Sequence, residues 1–202
     1  MFGLVDRDFA MPSRAGDAVM RTERHEIENH LLDFDALARL RHGKTAAEIG
    51  EIAREKAVRV QAWMAVRRTL LEMKQDLPGF PPDPKVSDVP DASTARQWLS
   101  ALAYPKSLER KINKAWTKTD LLDKRLPHLE QQCSSEIASG KWVEFFSGKE
   151  IFRHLRSVVP WRFQFDNEED LAFKVAERWQ RQGTTPTFIN TLRDAVLAGS
   201  VL

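Results

Sequence analysis

A single cysteine among 202 residues leaves Cys133 no partner for an intrachain disulfide and fits a reducing compartment. Long apolar runs are missing too: no stretch approaches the roughly 20 apolar residues that cross a bilayer. Nor does a signal peptide open the chain, because Asp6, Arg7 and Asp8 interrupt the first apolar run. The expectation is a soluble, cytoplasmic protein with no membrane partner. A phosphate-binding G-x-x-x-x-G-K-[ST] loop is absent, since Ser147-Gly148-Lys149 lacks the upstream glycine, so ATP is not held in that way. The histidines form no metal set: His25 and His30 are five residues apart, and His42, His128 and His154 are scattered. Cys133 has no Cys–His neighbourhood, which argues against a thiol nucleophile. An excess of one charge is lacking as well. With 31 basic and 29 acidic residues the net charge is +2, so any nucleic-acid surface must be local.

What is present is 42% hydrophobic residues, enough for a packed core. Residues 2–5 read as a short buried parallel strand and residues 18–22 as a second. Ile27, Leu31 and Leu32 recur at helical spacing, and Asp33 is placed to cap a helix through Leu40. A stripe of Ile49, Ile52, Val60, Trp63, Val66, Leu70, Met73 and Leu77 predicts one long helix opened by Thr45 and ending near Leu77. At about 1.5 Å per residue it would reach roughly 50 Å. Five prolines make residues 77–91 a loop. Ser93 then caps a helix, two more follow over 106–139 with a hinge near Thr117–Asp120, and 141–146 reads as a strand. Ser147 and Glu150 form the S-x-x-E pattern of a capping box, and helices are predicted over 168–182 and after Pro186. The expectation is an α/β fold, mostly α by content. A small parallel core over 1–41 would be interrupted by a helical insertion over 42–139, with 140–202 returning to the core.

Asp6 and Asp8 stand at the end of the first predicted strand. In extended chain, residues i and i+2 point to one side, so two carboxylates would share the strand's carboxyl end, where open α/β sheets bind ligands. Two such charges repel unless a cation lies between them, and Mg²⁺ favours carboxylate oxygens. The alternative is a turn cap, since Asp is a common turn residue. Glu23, Glu26 and Glu28 follow shortly, and Glu28-Asn29 would begin a helix near the strand ends. A third carboxylate there would complete a hard-cation site; the alternative is an acidic helix start that favours the macrodipole.

The segments FGLVDRDF and RTERHEIENHLLDFDAL, with weaker support from WVEFFSGKEIFRHL, resemble a Toprim-like domain family of unknown function encoded beside AAA/ABC-type ATPases in bacterial defence loci and related to OLD-family nucleases. The resemblance covers about a quarter of the chain. It implies a parallel Toprim-like sheet, Mg²⁺- or Mn²⁺-dependent phosphodiester hydrolysis of DNA or RNA, and an ATPase partner in anti-phage defence. On it, Asp6 and Asp8 match the D-x-D metal ligands, Glu28 the acidic residue of the E-N motif with Glu26 as substitute, and Lys149 the basic residue near the last strand. Toprim sequences begin with a glutamate segment before the D-x-D strand, which this sequence lacks. The expectation is a truncated domain with weak or no cleavage as it stands.

Lys106, Arg110, Lys111, Lys114 and Lys118 form a basic run in which Arg110, Lys114 and Lys118 share a helical face, and Arg153 follows the capping box. Phosphate contact is one reading of these residues, and a solvated helix face the other. Two rival functions stay open: a non-catalytic protein-interaction module anchored by the tryptophan-bearing helices, and a basic helical nucleic-acid binder. Self-association is also left open.

Overall fold

Local rules account for most of the elements. The computed structural model describes residues 3–5, 19–21, 26–40, 43–76, 83–102, 117–161 and 165–199. These form strands β1 (Gly3–Val5) and β2 (Val19–Arg21), a 3-10 helix Ile27–Leu31, and helices α1 (Phe34–Ala38), α2 (Ala46–Arg59), α3 (Gln61–Asp76) and α4 (Ala92–Ala101). A helical turn Lys118–Asp120 and a π turn Leu121–Arg125 lead into α5 (Leu126–Ala138), followed by α6 (Trp142–Phe145), α7 (Gly148–Val158), α8 (Glu168–Gln182) and α9 (Thr187–Gly199). The chain divides into two units, residues 1–56 with 143–202, and residues 57–142.

The α/β expectation is overturned: the fold is helical. β1 and β2 pair in parallel, Leu4 opposite Met20, but three residues each give a two-stranded ribbon and not a sheet on which helices could layer. The predicted strand at 141–146 is the helix α6. Trp142 and Phe146 are four residues apart and both buried, which is helical spacing. A short apolar run of this length fits a strand or a buried helical turn equally by pattern. The long helix expected from Thr45 to Leu77 is also two helices. Val60, wholly buried, stands at the break, and its carbonyl still accepts from Met64 N at 2.9 Å. Neither glycine nor proline marks it.

In the first unit, Thr45 and Glu48 cap α2 reciprocally, with Thr45 N donating to Glu48 Oε2 at 2.8 Å and Glu48 N donating to Thr45 Oγ1 at 3.2 Å. Asp33 caps α1 by accepting from Ala36 N at 2.9 Å, and its other oxygen accepts from Trp179 Nε1 of α8 at 2.8 Å. Ile151, Phe152 and Leu155 of α7 and Leu171, Val175 and Trp179 of α8 supply buried faces at helical spacing. Gly183 closes α8 in the left-handed region, φ 65°. His30 stacks on Phe188 with ring centroids 4.8 Å apart.

In the second unit, α3 packs on α5 and on α4. Met64, Leu70, Met73, Leu99, Leu129 and Cys133 are buried, as is a fork-to-fork ion pair between Arg68 and Glu136 at 3.0 and 2.7 Å. Asp91, not the expected Ser93, caps α4 through Thr94 N at 2.8 Å. The π turn before α5 has a local cause. Pro127 brings no N–H to the helix ladder, and Leu126 N bonds back five residues to Leu121 O.

Candidate functional site

The two motifs that the sequence places about 120 residues apart meet in the first unit. Glu26 is extended, φ −128° and ψ 158°, and caps the 3-10 helix; its N–H donates to Asn29 Oδ1 at 2.9 Å. Asn29 is completely buried. Its amide nitrogen donates to Val143 O and to Phe146 O, both at 2.8 Å. Those are carbonyls of α6 and the residue after it, groups that a helix end leaves without partners of its own. One asparagine therefore closes both the start of the 3-10 helix and the end of α6.

The next residues run straight into α7. Ser147 caps it, accepting from Glu150 N at 3.4 Å. The Ser147 hydroxyl donates to the Glu26 carboxylate, at 3.1 and 3.0 Å to its two oxygens, and Lys149 N donates to Glu26 Oε2 at 3.0 Å. The Glu26 charge thus sits against the first turn of α7, where exposed N–H groups and the macrodipole favour an anion. Gly148 makes the approach feasible. A Cβ on it would lie 2.4 Å from Asn29 N and 2.7 Å from Asn29 Oδ1, so no residue with a side chain fits without moving the 3-10 helix away.

This junction places Glu26, Glu28 and Lys149 in one neighbourhood of sequence and structure. Glu28 is half-buried in the first turn of the 3-10 helix, and the Lys149 side chain is exposed. The Glu26 carboxylate is engaged in the interlock. Asp6 and Asp8 lie outside the described residues, as do Lys106, Arg110, Lys111 and Lys114. β1 ends at Val5 and β2 at Arg21, paired in parallel. Among the described residues no group of three or more His, Cys, Asp or Glu is gathered closely enough to hold a metal ion.

The remaining basic candidates are engaged locally. Arg153 pairs with Glu150 at 2.7 Å and with Glu168 at 3.2 Å. The backbone at the start of α8, together with Arg153 and Arg156, holds the Glu168 carboxyl below its ordinary range. Lys118, in the other unit, donates to Ser100 O at 2.9 Å. Gly148 and Asn29 are the residues that sequence reasoning passed over. Their signal was a glycine directly after a capping serine and an asparagine directly after the acidic pair.

No family model, curated protein or solved structure matches this chain. Among the described residues no helix is long and apolar enough to cross a membrane.

Proposed function

We propose that this chain is a metal-dependent nuclease acting on the phosphodiesters of DNA or RNA. Glu28, together with Asp6 and Asp8, would hold Mg²⁺ or Mn²⁺, and Lys149 would meet the phosphate. The supporting observation is the interlock: Lys149 is fixed at the start of α7 by the carboxylate of the segment that carries Glu28. An all-oxygen, acidic donor set suits a hard divalent cation. When bound, such a cation lowers the pKa of water and polarises a phosphoryl oxygen. The chain's own contribution is positional. Asn29 and Glu26 fix the turn that carries Glu28, and the capped first turn of α7 holds the Lys149 backbone in place, so the cationic side chain starts from a rigid base. An AAA/ABC-type ATPase would be the partner that controls the nuclease.

A second reading has its own observation. Both oxygens of Glu26 are taken up in capping and in the Ser147 bond, so the same junction serves equally as the structural clamp of a non-catalytic interaction module. Incubating the chain with supercoiled plasmid and with single-stranded RNA, with Mn²⁺ or with EDTA, separates the two. The nuclease reading expects metal-dependent nicking or shortening that Asp6→Asn, Glu28→Gln and Lys149→Met each reduce at least tenfold. Because cleavage by the chain as it stands is expected to be weak or absent, Mn²⁺ binding is read alongside it; cleavage that survives Asp6→Asn and Glu28→Gln, or no saturable Mn²⁺ binding by the native chain, sinks it.

A further inference from the structure

In the unit of residues 57–142, α5 carries a carboxyl at odds with its surroundings. Glu130 Oε1 is buried and has no hydrogen-bond partner among the described residues. As a carboxylate, that oxygen would go without the donor its charge requires, whereas a protonated carboxyl tolerates the position at far lower cost. Burial accordingly pushes the Glu130 carboxyl above its ordinary range, opposed by Arg96 of α4. Glu130 also lines a surface groove of about 340 Å³, with Val58, Ala62 and Pro90 among its other walls, so the side chain has room to turn.

The polar and charged groups around Glu130 divide by whether they can change partners. Arg96 donates to Leu122 O at 2.8 Å and to the Asp123 carboxylate, which ties α4 to the π turn. Both sides of that ion pair are about half exposed, 52% and 49%, and exposed pairs of this kind hold weakly. Asp91, at the start of α4, is kept below its ordinary range by Thr94, so it is ionised before Glu130 titrates. Gln61 of α3 is uncharged, and its Nε2 is used on Glu130 O at 3.3 Å and Ser134 Oγ at 2.7 Å. Arg68 of α3 is held in the buried pair with Glu136, and Lys124 of the π turn pairs with Asp120 at 2.6 Å. Cys133, one turn along α5, keeps its proton because burial pushes the thiol up. Arg96 is therefore the cation that can be exchanged.

We propose that Glu130 and Asp123 compete for Arg96, and that one proton on Glu130 decides which of them holds it. With the proton on, Glu130 keeps its buried position and Arg96 ties α4 to the π turn. With the proton off, the carboxylate turns out of that position and accepts from the Arg96 guanidinium, whose planar fork can serve a carboxylate with two N–H groups. The exchange moves the tether of α4 from the π turn to α5. Because the folded chain favours the protonated carboxyl, its contribution to stability is intact below the ordinary carboxylate range and is lost as pH rises through the folded value. The device lies in the second unit and stands independently of the nuclease reading.

The test is a pH titration by NMR of the full ¹³C,¹⁵N-labelled chain, followed at Glu130 Cδ and Arg96 Nε. The expected result is a Glu130 midpoint above that of the same residue in the urea-unfolded chain, with the Arg96 Nε signal moving at that midpoint. Glu130→Gln should abolish this Arg96 step with the spectrum otherwise preserved. Asp123→Asn should lower the Glu130 midpoint, because Arg96 is then released to the carboxylate, and Arg96→Met should raise it. A Glu130 midpoint equal to the unfolded one, an Arg96 signal that ignores it, or a midpoint unmoved by Asp123→Asn overturns the proposal.

Discussion

Replacing Gly148 by alanine tests the interlock directly. At most helix starts the change is neutral or favourable, because glycine costs about 1 kcal/mol relative to alanine within a helix. Here the new Cβ would meet Asn29 N at 2.4 Å, whereas ordinary contact begins near 3.4 Å. The 3-10 helix must therefore retreat by about 1 Å, since packed interiors absorb little strain. The two Asn29 bonds, both 2.8 Å now, then pass beyond hydrogen-bond range. Two lost bonds at about 1 kcal/mol each, plus a buried amide left without acceptors at about 1–3 kcal/mol, give a loss of about 3–5 kcal/mol. For a chain of this size that lowers the melting midpoint by about 10 °C. Circular dichroism at 222 nm reads it. Gly50→Ala is the control, because its Cβ meets only the Phe34 ring, at 3.3 Å, in the middle of α2; it should melt within a few degrees of the parent. If Gly148→Ala melts no lower than Gly50→Ala, the interlock is not there.

Three further perturbations have defined outcomes. Arg68→Met leaves Glu136 buried without its partner and should cost about 3–5 kcal/mol in urea unfolding, while Arg68→Met with Glu136→Leu recovers most of it; a double variant no better than the single one contradicts that. Burial pushes the Cys133 thiol up to about 12 from an ordinary 9.0, so the folded chain keeps it protonated. Ellman's reagent at pH 8 should label it only on unfolding, and its contribution to stability, intact below 9.0, is lost as pH rises towards 12; labelling of the native chain at the unfolded rate refutes this. Trp179→Phe deletes the bond to Asp33 and should cost about 1 kcal/mol in the same melt, and an unchanged midpoint would show the bond to be idle.

The parts of the fold that the sequence discloses are those set by near neighbours. The caps at Asp33 and Ser147 and the helix over 168–182 follow from side chains three or four residues from the groups they serve. The α/β architecture fails because Trp142–Phe145 is too short for its period to decide between strand and helix. The break at Val60 carries no glycine or proline, so no local breaker announces it. For the site, the acidic segment and the Ser147-Gly148-Lys149 turn were each conspicuous alone. Their union depends on Asn29 reaching Phe146, 117 positions away, and a single sequence holds no rule that pairs residues at that separation. Glu26, read as an alternative ligand, accepts from Lys149 N at the start of α7, a contact that no local pattern announces.

The most direct measurement of the central claim is Mn²⁺ binding followed by electron paramagnetic resonance on the native chain and on Asp6→Asn, Glu28→Gln and Glu26→Gln, each checked for native circular dichroism. The account predicts saturable binding by the native chain, weakened at least tenfold in Asp6→Asn and Glu28→Gln and nearly unchanged in Glu26→Gln, whose carboxylate serves the helix and not the ion. Equal Mn²⁺ affinity in all four proteins, or loss with Glu26→Gln alone, would contradict it.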